Sequence, residues 1–206
     1  MSAFFSFDGM DGTGKSTQVH LLAEALRSAG VEVVLCRDPG STPLGERVRE
    51  VLLNSGAETP IGRRSEMLLY MAARAQLVEE VIRPALDAGR TVIADRYLLA
   101  NVVYQGHAGG LDPAEIWQVG RVATQGLMPD CVFLLDMAPE GAGDRLRRPL
   151  DRMESQGDEY RQRLRAGFLK EAASCDVTHV IAADRPIEVI HAEIWRIAAK
   201  KLRLGG

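Results

Sequence analysis

Three glycines, a lysine and three hydroxyls stand together near the start of the chain, in the order Gly9-Met10-Asp11-Gly12-Thr13-Gly14-Lys15-Ser16-Thr17. Gly9 through Ser16 satisfies G-x-x-x-x-G-K-[ST] in full, with an apolar strand-like run before it and a helical pattern after it. Glycines at this spacing let backbone N–H groups approach phosphate oxygens, and the helix N-terminus adds positive potential. Lys15 is placed to reach the β- and γ-phosphates of ATP, and Ser16 to offer a hydroxyl to Mg2+. The pattern identifies nucleotide binding. It leaves open whether the phosphate is only held or is moved.

Further stretches bear on that choice. In TVIADRYLLANVVYQG (91–106), Asp95 closes an apolar strand, where a carboxylate can hold Mg2+ directly or through water. Arg96 follows, and a guanidinium forks well onto a second phosphoryl group. A salt-bridged Asp-Arg pair at a strand end would read the same way. Arg37 ends another strand and enters Asp38-Pro39-Gly40, which an ordinary turn explains equally well. In segment 143–165, Arg145, Arg147, Arg148 and Arg152 crowd around Pro149. Such a run is either a solvated helix face or a basic flap that closes on ATP and excludes water. Tyr70 and Arg74 stand four apart in a helical pattern and so share one face. A flat base fits that spacing, and so does a core tyrosine beside a surface arginine.

The elements that must position these residues follow from hydrophobic periodicity. Short apolar runs at 3–7, 31–36, 91–94, 131–135 and 178–183 alternate with helical patterns at 17–30, 63–89, 112–127, 159–173 and 187–202. Gly30 and Gly89 fall where helices would end. This alternation predicts an α/β fold in which a parallel five-stranded sheet is covered by helices on both faces, with ligands at the carboxyl ends of the strands. The 206 residues suit a single domain, 1–206, with a short lid at about 141–157.

Composition narrows the function classes. Net charge is −3, which argues against a protein that coats nucleic acid, although a local basic site for a small phosphorylated ligand remains compatible. No apolar run approaches the ~20 residues of a membrane span, and no secretory signal is visible, so the expectation is a cytoplasmic protein. Cys36, Cys131 and Cys175 are widely spaced, without a Cys-x-x-Cys pair, and the four histidines form no metal-ligand spacing.

Taken in order, DGMDGTGKST, RDPGSTPLGERVR, EMLLYMAARAQLVEEVIRPAL, DRYLLANVVYQG, LDRMES and RPIEVIHAEIW resemble the thymidylate (dTMP) kinase family nearly end to end. The resemblance implies a three-layer P-loop kinase fold, dTMP as the small-molecule substrate, ATP and Mg2+ as cofactors, and a homodimer formed through helices on one face of the sheet. It implies no nucleic-acid or membrane partner. It assigns Tyr70 to stacking on thymine and Arg74 to a thymine carbonyl, with Asn101, Tyr104 and Gln105 lining the base and sugar pocket. An aromatic at Tyr104 stands where a ribose 2′-hydroxyl would go. Asp11 would hold the sugar 3′-hydroxyl, Arg37 and Arg96 the acceptor phosphate, and Arg147 and Arg152 would reach in from the lid. The segment near Ala182–Arg185 would flank adenine. Departures from the usual family pattern are Asp38 for Glu, Ser41 for Gly, Tyr70 for Phe, Asn101 for Ser or Thr, and Pro149 in the lid. The reaction expected is direct phosphoryl transfer by Lys15, Asp95, Arg96, Arg147 and Arg152, with Ser16 and Asp95 at the metal. Three rivals stand beside it: a kinase of another nucleotide or nucleoside, a nucleotide-dependent switch ATPase, and a nucleic-acid-binding ATPase, the last fitting poorly with the net charge.

Overall fold

The structure is a computed structural model, which describes residues 2–55, 58–144 and 157–204. Five strands, β1 (Phe4–Asp8), β2 (Val33–Arg37), β3 (Thr91–Asp95), β4 (Cys131–Asp136) and β5 (Thr178–Ala182), form one sheet in the order β2-β3-β1-β4-β5 with every pairing parallel. β1 lies at the centre and is buried along its whole length, which is why it reads as a continuous apolar run. Its side chains alternate between two cores. Phe5 and Phe7 join the cluster that holds Leu22 and Leu26 of α1 (Lys15–Ser28) and Ile190 and Ile194 of α9 (Ile187–Leu202). Phe4 joins the cluster built with Met67, Met71 and Leu77 of α3 (Arg63–Leu77). Helices therefore cover both faces, as the strand pattern requires.

The helical stretch expected over 63–89 is one axis with a local change of pitch. α3 passes into a π-helical turn, Val78–Ile82, and then into α4 (Arg83–Asp87). Pro84 has no N–H and its ring crowds the carbonyl four residues back, and the wider turn gives it room. Gly30 and Gly89 follow their helices at φ 80° and 75°, left-handed conformations that glycine adopts without strain.

Three elements went unread in the sequence. α2 (Pro43–Asn54) starts directly after the Asp38-Pro39-Gly40 turn, whose Asp38–Pro39 peptide is cis; Thr42 caps the helix by accepting from Gly45 N at 2.9 Å. α5 (Leu98–Asn101) runs into a second π-helical stretch, Val102–Ala108. α7 (Pro139–Asp144) follows β4. The remaining helices are α6 (Pro113–Ala123) and α8 (Asp158–Ala172). No helix among the described residues is long and apolar enough to cross a membrane.

Candidate active site

The carboxyl ends of β1, β2 and β3 converge on one rim. β1 delivers the loop Gly9–Gly14, which leaves no room for a side chain at Gly9 or Gly12. A Cβ on Gly9 would lie 2.5 Å from Leu135 O, and one on Gly12 would lie 2.1 Å from Ala142 O, with φ at 133° and 84°. The loop ends at Gly14, and α1 begins at Lys15. The Lys15 ammonium, buried, donates to Met10 O at 2.7 Å and lies 3.6 Å from the Asp11 carboxylate. Burial and the neighbouring Arg96 charge lower its pKa to about 8. Ser16 Oγ donates to Asp95 Oδ2 at 2.9 Å, so the hydroxyl and carboxylate expected at a metal are adjacent. Among the described residues no cluster of three or more His, Cys, Asp or Glu could hold a metal by itself.

Arg96 binds the rim together. It sits at φ 70°, a conformation uncommon outside glycine, because its main chain must donate to Phe7 O at 2.9 Å while its side chain turns over the phosphate loop. The guanidinium donates to Gly9 O at 2.8 Å, to Asp11 Oδ1 at 2.6 Å and to Tyr104 Oη at 3.2 Å. Tyr104 in turn donates to Asp11 Oδ2 at 3.2 Å. Burial pushes the Asp11 carboxyl upward, but Arg96 and Lys15 overcome it and hold the group well below the usual carboxylate range. Asp8, fully buried beneath the loop, goes the other way: burial lifts it to about 6 against the pull of Arg96 and Lys15.

Two clefts open along this rim. One, of about 570 Å³, is lined by the phosphate loop, Ser16, Thr17, Arg37, Asp95, Arg185 and Ile187. The other, of about 100 Å³, is lined by Pro39, Leu53, Tyr70, Arg74, Asn101, Tyr104 and Gln105. Asp11, Asp38, Arg49 and Arg96 line both, so the two clefts meet at a charged junction.

In the smaller cleft Arg74 is almost wholly buried, at 1% exposure. Its Nε donates to Asp38 Oδ2 in a short contact, and its Nη1 donates to Asn101 Oδ1 at 3.1 Å. Its Nη2 makes no hydrogen bond among the described residues. Its guanidinium also lies 5.7 Å from the ring centre of the buried Tyr97. The reading of Arg74 as a surface residue beside a core tyrosine is therefore excluded: the arginine is inside, and Tyr70 is half-buried on the cleft wall.

Two placements differ from a simple picture of converging arginines. Arg37 faces the larger cleft, is about half exposed and holds Glu46 at 2.7 Å. Arg49, on α2, lines both clefts and donates to Pro39 O at 3.0 Å, yet sequence reasoning passed over it. The Thr42-Pro43 helix start could have revealed it, because it turns GERVRE from a loop into a helix with an inward face. Arg147 and Arg152, with most of the expected lid, lie outside the described residues.

Comparison with known proteins agrees with this architecture. The family model described as thymidylate kinase matches residues 7–194. A thymidylate kinase of Rhodopirellula baltica is 47% identical over 193 residues, covering 93% of this chain and 78% of that protein. One from an Exiguobacterium species is 43% identical over 98% of this chain and 97% of its own length. The crystal structure of thymidylate kinase from Ehrlichia chaffeensis superposes with a TM-score of 0.80 at 32% identity, over 96% of this chain and 98% of that one. With a phosphate loop and a second, arginine-floored cleft meeting over a parallel sheet, the chain belongs to the thymidylate kinase family.

Proposed function

We propose that this chain transfers the γ-phosphoryl group of ATP to dTMP, giving dTDP and ADP. The observation that carries the reading is the junction. Two clefts meet end to end at Asp11, Asp38, Arg49 and Arg96, an arrangement that suits transfer between two phosphorylated ligands.

ATP lies in the larger cleft, its phosphates on the backbone of Gly9–Gly14 with Met10 and Thr13 in the loop, and its adenine toward Arg185 and Ile187. The smaller cleft takes dTMP. Tyr70 stacks on the base, and Arg74 Nη2 donates to a base carbonyl. Asn101 Oδ1, beside it, is an acceptor for the ring N–H. Donor next to acceptor is the complement of a uracil-type edge; a cytosine edge presents the reverse. Asp11 accepts from the sugar 3′-hydroxyl, and the Tyr104 ring fills the space of a 2′-hydroxyl. Arg96 and Arg49 hold the acceptor phosphate, with Arg37 at the side of the same opening.

Catalysis on this reading is positioning plus charge neutralisation. Lys15, whose ammonium already rests on a loop carbonyl, shifts to phosphate oxygens. The acceptor is a phosphate oxygen ionised at neutral pH, so no general base is required. Ser16 and Asp95 suit Mg2+, which takes few protein oxygens and completes its shell with phosphate and water. When bound, the ion neutralises charge on the phosphates. Arg147 and Arg152, outside the described residues, are further cationic candidates from the sequence alone. Closure of the site over the phosphates excludes water as a competing acceptor.

We also place the enzyme in the cytoplasm and read it as a homodimer through α2, α3 and α6. These helices are neighbours and carry the exposed apolar side chains Leu44, Val51, Leu68 and Val122. The function is tested with a panel of nucleoside monophosphates and Mg·ATP, following ADP release. dTMP should be the best acceptor by kcat/KM, and phosphorylation of thymidine but not dTMP would overturn the reading.

A further inference from the structure

Beneath the smaller cleft runs an unbroken chain of buried polar side chains. Glu66 of α3 accepts from Gln105 Nε2 at 2.9 Å; Gln105 Oε1 accepts from Asn101 Nδ2 at 2.5 Å; Asn101 Oδ1 accepts from Arg74 Nη1 at 3.1 Å; and Arg74 Nε donates to Asp38. Glu66, Gln105, Asn101, Arg74 and Asp38 are 7%, 3%, 2%, 1% and 3% exposed, so water cannot readily take the place of any partner.

The two ends of the amide pair differ in kind. A carboxylate only accepts and a guanidinium only donates. Facing Glu66, Gln105 must present its NH2, which turns its carbonyl to Asn101. Facing Arg74, Asn101 must present its carbonyl, which turns its NH2 to Gln105. Both requirements give the same orientation, and all three junctions are satisfied together. Replacing either end by a group of the opposite kind would leave two donors or two acceptors facing each other somewhere along the chain.

We propose that Glu66 is a positioning residue for the substrate base. Through Gln105 it sets the orientation of the amides that present an acceptor beside Arg74 on the floor of the cleft. Glu66 does not line that cleft, so its influence passes through Gln105 and Asn101. The proposal rests on the assignment of this cleft to dTMP, and it adds the residue that keeps the floor from being read in reverse.

The test is a polarity swap. Gln105→Glu places an acceptor against Glu66; Glu66→Gln combined with Gln105→Glu restores a donor–acceptor pair with the amide on the other partner. Gln105→Glu should raise KM for dTMP about tenfold or more, the scale of an unsatisfied buried polar group. It should leave KM for ATP within twofold. The double variant should recover the KM for dTMP to within about threefold of wild type. Gln105→Glu behaving like wild type would overturn the proposal, as would a double variant that melts like wild type yet remains as impaired as Gln105→Glu. The thermal melts read the Glu66–Gln105 bond whatever the substrate. Should the wild type ignore dTMP while the melts still show recovery in the double variant, the substrate assignment fails and the side-chain orientation stands.

Discussion

Replacing Arg74 by alanine should uncover a buried charge whose cost depends on pH. Arg74 and Asp38 are both fully buried and paired, and Asp38 Oδ1 already lacks a hydrogen-bond partner among the described residues. Burial raises the Asp38 pKa, and Arg74 is the largest influence pulling it back down. Without the arginine the pKa rises further. A carboxyl whose folded pKa lies above its unfolded value of about 4 binds more protons when folded. Stability is then retained below that pH and lost as pH climbs toward the folded pKa. Breaking a buried pair by deleting one partner costs about 3–5 kcal/mol when the survivor stays charged. Denaturant melts of Arg74→Ala should therefore show a deficit of that size at pH 8 that shrinks by at least ~1 kcal/mol at pH 5. Arg74→Ala with Asp38→Ala should lose this pH dependence. Steady-state assays should show KM for dTMP raised about tenfold or more, on the scale of a lost charged hydrogen bond, with KM for ATP nearly unchanged. A deficit equal at both pH values would refute the account of Asp38 as the stranded charge. Equal damage to both substrates would refute the placement of Arg74 on the dTMP side alone.

Lys15→Ala should lower kcat by at least about a hundredfold, as removal of a preorganised charge at a transferring group does; a variant keeping most of its turnover removes the phosphate-loop argument. Asp8→Asn should flatten the stability profile, because raising the buried Asp8 carboxyl to about 6 makes its ionisation cost roughly 3 kcal/mol between pH 4 and pH 6. Melts in which wild type and variant lose stability in parallel across that window would show that Asp8 is not the titrating group. Val122, on α6, is 79% exposed, so Val122→Glu should leave the melting temperature within about 2 °C while shifting a dimer toward monomer in light scattering. A wild-type protein already monomeric at assay concentration would remove the proposed dimer face.

Much of this was legible in the chain because it is written in local chemistry. Continuous apolar runs gave five parallel strands, and the loop glycines could be read because no side chain fits at Gly9 or Gly12 and Gly14 sits at a positive φ of 91°. Residues that depend on irregular geometry were harder. The π-helical stretch Val102–Ala108 changes the angular spacing of Tyr104 and Gln105 relative to Asn101, and no period in the sequence announces such a turn. α2 was hidden behind its own entry turn, which concealed Arg49. Asp38 stood out only as a departure from a family pattern. Its role as the buried partner of Arg74 joins residues 36 apart, and spacing along the chain carries no information about that contact.

Arg96 shows how the local and distant parts depend on one another. The segment Asp95-Arg96-Tyr97 places three side chains in three environments: Asp95 beside Ser16, Arg96 on the phosphate loop, and Tyr97 in the core with its hydroxyl donating to Leu127 O at 3.0 Å. Extended backbone would send alternate residues to opposite faces and could not aim all three. A positive φ at Arg96 does so, at a conformational cost of about 1–3 kcal/mol. The contacts to Gly9 O, Asp11 and Tyr104 over-determine the guanidinium and hold that strain in place. The junction of the two clefts is therefore set during folding, with Asp11 and Arg96 held before any phosphate arrives. On the proposed function, a cation fixed in advance would stabilise developing charge without reorganising at the moment of transfer, as catalysis by positioning and charge neutralisation requires.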